Sequence, residues 1–165
     1  MALRSVSLIT YRRQSNQRAH FAIFVLSDPN ENLGTRIHVI GAPMAGYRLE
    51  FKRKYSVDLT QQPHTAYLIG QIDSQYLADD GNIKAGDYYT PKGAIELVAS
   101  QIPPPRRSQN FLAPVNDTTN KRCQEWTMEY VRRLVDLGYI DASAIQIVQS
   151  KRDPPTHGIG LQPVE

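Results

Sequence analysis

The chain has 165 residues, 41% hydrophobic and 21% charged, with 10 Gly, 11 Pro and one Cys. That is the size and composition of one globular domain able to bury roughly two thirds of its unfolded surface, and a single Cys excludes an internal disulfide and a cysteine-rich zinc site. The 19 basic and 16 acidic residues leave a net charge of +3, but the basic clusters (Arg12-Arg13, Lys52-Arg53-Lys54, Arg106-Arg107, Lys121-Arg122) are short, so they read as solvated charge and argue against a nucleic-acid partner, which needs one markedly basic face.

In chain order, Ser5–Arg12 is rich in β-branched residues and alternates loosely, as a strand does. Ala19–Leu26 is apolar on both faces, the mark of a central strand. Asp28 to Asn32 supplies turn chemistry, and Thr35–Gly41 resumes extended structure before the turn Gly41–Gly46. Tyr47–Tyr55 sets Tyr47, Leu49 and Phe51 on one face and Arg48, Glu50 and Lys52 on the other, which predicts a half-buried antiparallel strand. Thr65–Ile72 is a fifth strand, with a bulge at Gly70. The stretch from Ile72 to Thr90 reads as a lid or insertion.

The second half changes period. A short helix opens at Thr90-Pro91-Lys92 and runs to Gln101. The prolines of Ile102–Asn116 enforce a loop. A longer helix is expected from about Asn120 to Leu137, with Asp117, Thr118, Thr119 and Asn120 as N-cap candidates and Gly138 closing it. Trp126, Tyr130, Val131 and Leu134 share its buried stripe. A last helix, Ala142–Gln149, precedes a polar tail over 150–165. The domain is therefore 1–149, with an α+β fold in which an antiparallel sheet of about five strands carries helices on one side.

Cys123 falls near the start of the longer helix, on the side that faces the sheet. Free backbone N–H groups, the helix dipole and the charges of Lys121 and Arg122 all favour thiolate there, so a lowered thiol pKa is expected. A nucleophilic thiol also needs a base. His20 and His38 are candidates, each inside an apolar strand where an unpartnered histidine is costly.

At these positions a resemblance emerges. Arg18-Ala19-His20-Phe21-Ala22-Ile23-Phe24-Val25, Ile37-His38-Val39 and Arg122-Cys123-Gln124-Glu125-Trp126 resemble, in order and spacing over about residues 18 to 137, the permuted NlpC/P60 cysteine hydrolases, in particular the lecithin retinol acyltransferase-like branch. The chain is also similar to short fungal proteins with the same His-then-Cys order. The resemblance implies a papain-like core in which Cys123 is the nucleophile, His20 the general base and His38 its orienting partner, with Arg18, Arg122 and Trp126 against the substrate. The departures are Arg122 where that family has Asn, Gln124-Glu125-Trp126 where it has Glu-His-Phe, and a polar tail where membrane-active relatives carry an apolar anchor.

The resulting expectation is a cysteine hydrolase or acyltransferase for an amide, ester or thioester, working through a thioester without metal or organic cofactor. The alternative is a non-catalytic domain that uses the same pocket to bind a small molecule or partner. No apolar run reaches the ~20 residues of a membrane span and the N-terminus lacks a long apolar core, so a cytoplasmic location is expected; oligomeric state is left open. His64 and His157 read as exposed. Tyr11, Tyr47, Tyr67, Tyr88 and Tyr89 read as sheet packing, and Glu125 with Glu129 as a solvated helix face.

Overall fold

The computed structural model describes residues 2–78 and 84–157. Strands β1 (Leu3–Tyr11), β2 (His20–Asp28), β3 (Leu33–Ala42), β4 (Gly46–Tyr55), β5 (His64–Asp73) and β6 (Gly86–Tyr88) form one antiparallel sheet in the order β5-β1-β2-β3-β4-β6. Helices α1 (Ala94–Gln101), α2 (Cys123–Asp136) and α3 (Ser143–Lys151) follow. The five expected strands are all present; β6 is an addition, a three-residue edge strand paired with Phe51–Arg53 of β4. Residues 79–83, within the expected lid, lie outside the described residues.

Alternation divides the sheet into two faces. Phe21, Ile23, Val25, Ile37, Val39 and Phe51 join Trp126, Tyr130, Val131 and Leu134 of α2 in the main core. Complete burial of each such side chain contributes about 1.5–3 kcal/mol, and this face fixes the position of α2. The opposite face carries a smaller cluster of Ile9, Tyr11, Ala22 and Phe24. The β1–β5 register slips between Val6↔Gly70 and Ser7↔Leu68, so the bulge falls beside Gly70. Ile140 occupies the space that a Cβ on Gly70 would enter, at 2.8 Å.

Several expectations are corrected. Helix α2 starts at Cys123, with Arg122 as N-cap whose backbone N–H donates to Glu125 Oε1 at 3.0 Å. The run before it builds a loop instead: Asn116 Oδ1 accepts from the backbone N–H of Thr118, Thr119 and Asn120. Helix α1 begins after Gly93, at Ala94, so Pro91 lies outside it. Arg53 is buried against Glu96 rather than solvated with Lys52 and Lys54. Helix α3 extends to Lys151, and residues 152–157 of the expected tail are tied to the domain, while residues 158–165 lie outside the described residues. The Asp153 carboxylate accepts from Arg12, from the Ala19 N–H and from Gln124, and Arg152 donates to Glu125 at 2.9 Å. Among the described residues no helix is long and apolar enough to cross a membrane.

Candidate functional site

The β3–β4 hairpin sets His38 directly opposite Glu50, and its Nε2 lies 2.9 Å from Glu50 Oε1. His20, on the neighbouring strand and the same face, brings Nε2 to 2.7 Å from His38 Nδ1. The three side chains make a continuous relay from a carboxylate through two imidazoles. Arg36, two residues before His38, reaches the same carboxylate at 4.0 Å and donates to the hydroxyls of Tyr11 and Tyr55.

Charge states follow from surroundings. Burial first, and then the neighbouring His38, holds the His20 pKa down at about 3. Burial also lowers that of His38, while its bond to Glu50 lowers the pKa of the carboxyl. At neutral pH both rings are uncharged and Glu50 is a carboxylate. A carboxylate only accepts, so His38 donates through Nε2–H and its Nδ1 is a bare acceptor. His20 must then donate through Nε2–H, which leaves His20 Nδ1 with its lone pair. The relay thus assigns one tautomer to each ring, with an unprotonated nitrogen at its end.

His20, His38 and Arg36 line a cavity of about 310 Å³ together with Tyr11, Tyr47 and Gln62. Burial raises the Tyr11 pKa to about 12, so its hydroxyl remains a neutral donor. Two of the tyrosines read as packing, Tyr11 and Tyr47, therefore belong to the site as well.

Cys123 arrives from the other direction. The β2–β3 ladder starts at Ile23↔Ile37, so the His20 end of β2 is not paired with β3, and the first turn of α2 packs there. The thiol donates to the Ala19 carbonyl at 3.8 Å, and Gln124 Nε2 donates to the same oxygen at 3.0 Å. The Phe21 N–H also faces the sulfur. The thiol engages the strand's backbone, whereas the His20 ring engages Tyr11 and His38; among the described residues no hydrogen bond joins the thiol to either histidine. The expected lowering of the thiol pKa is also reversed: burial raises it to about 11, and Glu125 adds to that. The helix dipole does not overcome loss of solvent.

The three flanking residues serve the frame. Trp126 is buried, stacked on Tyr130 with a ring separation of 5.3 Å, and donates to the Ile102 carbonyl. Arg18 is fixed by Pro154, Gln124 and Glu125. Arg122 donates to the Phe111 carbonyl. None of the three lines the histidine cavity. Glu125 is buried among Arg18, Arg152 and the Arg122 N–H, not on a solvated face.

Glu50, Arg36 and Gln62 are the site residues that the reading by alternation passed over. The signal for Glu50 was present in the hairpin: a turn centred between Ala42 and Gly46 places residue 50 across from residue 38. Among the described residues no group of three or more His, Cys, Asp or Glu is arranged to hold a metal ion.

Fold and site together define a single-sheet α+β protein with a carboxylate–imidazole–imidazole relay on one sheet face and a cysteine-bearing helix on the other. The chain belongs to DUF6540, a family of unknown function whose model matches residues 6–141. No curated protein and no solved structure matches it.

Proposed function

We propose that the protein is a cysteine-dependent hydrolase or acyltransferase acting on an amide, ester or thioester, built on a permuted papain-like frame. The observation that carries this reading is the relay Glu50–His38–His20, which ends on an unprotonated nitrogen in a cavity beside the strand that Cys123 touches. A neutral, oriented imidazole is the state a general base requires.

With its pKa raised to about 11, the thiol is not a standing thiolate. Attack on a substrate requires Cys123 to leave the Ala19 carbonyl and reach His20 past the end of β2 that β3 leaves unpaired. The thiol proton passes to His20 Nδ1 as sulfur forms a bond to the acyl carbon; the leaving group takes that proton and departs. Water, an alcohol or an amine then attacks the thioester, giving its proton to His20, which returns it to the sulfur. His38 and Glu50 stabilise the imidazolium in between, with the Cys123 N–H as a backbone donor for the oxyanion.

The test is turnover of p-nitrophenyl esters and acyl thioesters, with mass spectrometry of the acylated chain. Acyl transfer to Cys123 in the wild type, with rates at least ~10²-fold lower in His20→Ala, supports the reading, since a positioned base is worth about that factor or more. Undiminished turnover in Cys123→Ala overturns it. A second reading, a ligand-binding domain that keeps the frame, is favoured by the buried, bonded state of the thiol. It predicts a ligand held in the cavity and no acylation.

A further inference from the structure

A second cavity, of about 300 Å³, lies away from the histidines, between the proline loop and the segment leading into α2. Its charged lining residues are Arg106, Arg107 and Lys121, and no carboxylate lines it; Gln109, Thr118 and Thr119 add amide and hydroxyl groups. The loop is held rather than hanging. The Tyr47 N–H donates to the Pro105 carbonyl at 2.9 Å, the Ser108 N–H to Pro43 at 2.7 Å, and the Gln109 N–H to Thr119 at 3.2 Å. Pro103, Pro104 and Pro105 restrict its backbone further.

The charges around this cavity do not cancel. Lys121 is paired with Glu129 at 2.5 Å. Arg107 uses Nε on the Met44 carbonyl at 3.1 Å, which leaves its two terminal nitrogens. Arg106 has no hydrogen bond or ion pair among the described residues. Two arginines thus line one concavity with no counterion among the described residues. Like charges held together by a braced loop are unfavourable until an anion joins them.

We propose that this cavity is an oxyanion site for a small phosphate-bearing ligand, a phosphate monoester or pyrophosphate. A dianion balances the two uncompensated guanidinium groups, whereas a single carboxylate leaves one over. The planar fork of arginine suits phosphate oxygens, and Lys121 and the threonine hydroxyls are within the same lining. The concave shape favours a compact soluble ligand over a flat surface. The site stands independently of the cysteine chemistry proposed above.

The experiment is calorimetric titration of the full chain with pyrophosphate, inorganic phosphate and acetate, alongside two double variants of equal charge change. Arg106→Gln/Arg107→Gln removes the site's cations; Arg132→Gln/Arg133→Gln removes two exposed cations of α2. Pyrophosphate affinity is expected to fall at least tenfold in the first variant and to stay within twofold in the second, with acetate at least tenfold weaker than pyrophosphate. All four arginines are exposed, so both variants fold, and circular dichroism checks it. Equal losses in the two variants would mean that net charge alone attracts the anion, and acetate binding as tightly as pyrophosphate would remove the dianion argument. Pelleting with phosphatidylserine vesicles, without binding of soluble pyrophosphate, would assign these cations to a membrane surface. Any of the three overturns the proposal.

Discussion

Replacing Glu50 by Gln probes the relay without removing bulk. The carboxylate accepts from His38 Nε2 at 2.9 Å, and His38 in turn accepts from His20 at 2.7 Å. A carboxamide accepts through oxygen or donates through nitrogen, so Glu50→Gln no longer dictates which His38 nitrogen carries the proton. When the amide donates, His38 becomes Nδ1–H, and His20 must present a bare Nε2 to it and hold its proton on Nδ1, which is then blocked as a base. The charge-assisted bond is also lost. Hydrogen bonds to charged groups contribute about 1.5–3 kcal/mol, which for a domain of this size lowers Tm by roughly 3–12 °C at about 2–4 °C per kcal/mol. Long-range proton–nitrogen NMR of the imidazoles at pH 7 reads the tautomers directly. Both rings in the Nε2–H form in the wild type, and a mixture in Glu50→Gln, is the expected result. An Nδ1–H His20 in the wild type, or a variant within ~0.5 kcal/mol of the wild type with unchanged tautomers, would refute the relay.

Three further outcomes follow from the packing and the charge states. Stability should be full above about pH 6.5 and decline as pH falls from 6.5 toward 3, because the unfolded chain takes up protons on His20 and His38 that the folded chain refuses; the slope is at most about 1.4 kcal/mol per pH unit for each histidine, and urea melts across this range measure it, with a flat profile counting against buried neutral rings. Glu96→Gln strands the buried Arg53 guanidinium and should cost about 3–5 kcal/mol, whereas Arg53→Met combined with Glu96→Leu should cost far less; equal losses would show that the pair's charge is not what matters. Gly70→Ala drives a methyl into Ile140 and should cost about 1–3 kcal/mol by overpacking, with recovery when Ile140→Ala is added; a neutral single variant would contradict the tight contact.

The sheet was legible because its strands alternate or run apolar for eight to ten residues, which leaves little freedom of assignment. Strand β6 was not, since Gly86–Tyr88 is too short to show a period and exists through pairing with β4. The start of α2 was misplaced because Asn, Asp and Thr satisfy backbone N–H groups in turns as readily as at helix ends. Glu50 looked solvent-facing between Arg48 and Lys52, and only the cross-strand partner His38 explains its burial. The histidine pair was legible from composition, as charge-capable residues in apolar strands demand partners. Alternation puts His20 and the Phe21 beside Cys123 on opposite faces, so that thiol and imidazole meet different neighbours, which the order of the motifs along the chain does not convey. Nor does a helix position reveal how far a thiol is removed from water, which here outweighs the dipole.

The clamp at Asp153 ties the timing of folding to the chemistry of the site. It joins residues 134 positions apart at Ala19 and 141 apart at Arg12, among the most distant contacts in the chain. Closing such loops costs entropy before any contact is gained, and non-local contacts of this kind slow folding. The sheet and its two histidines can form from the first half of the sequence, but the end of β2 where Cys123 rests is locked only after residue 153 has been made and docked. The setting of Cys123 is thus complete only once the C-terminal segment has docked.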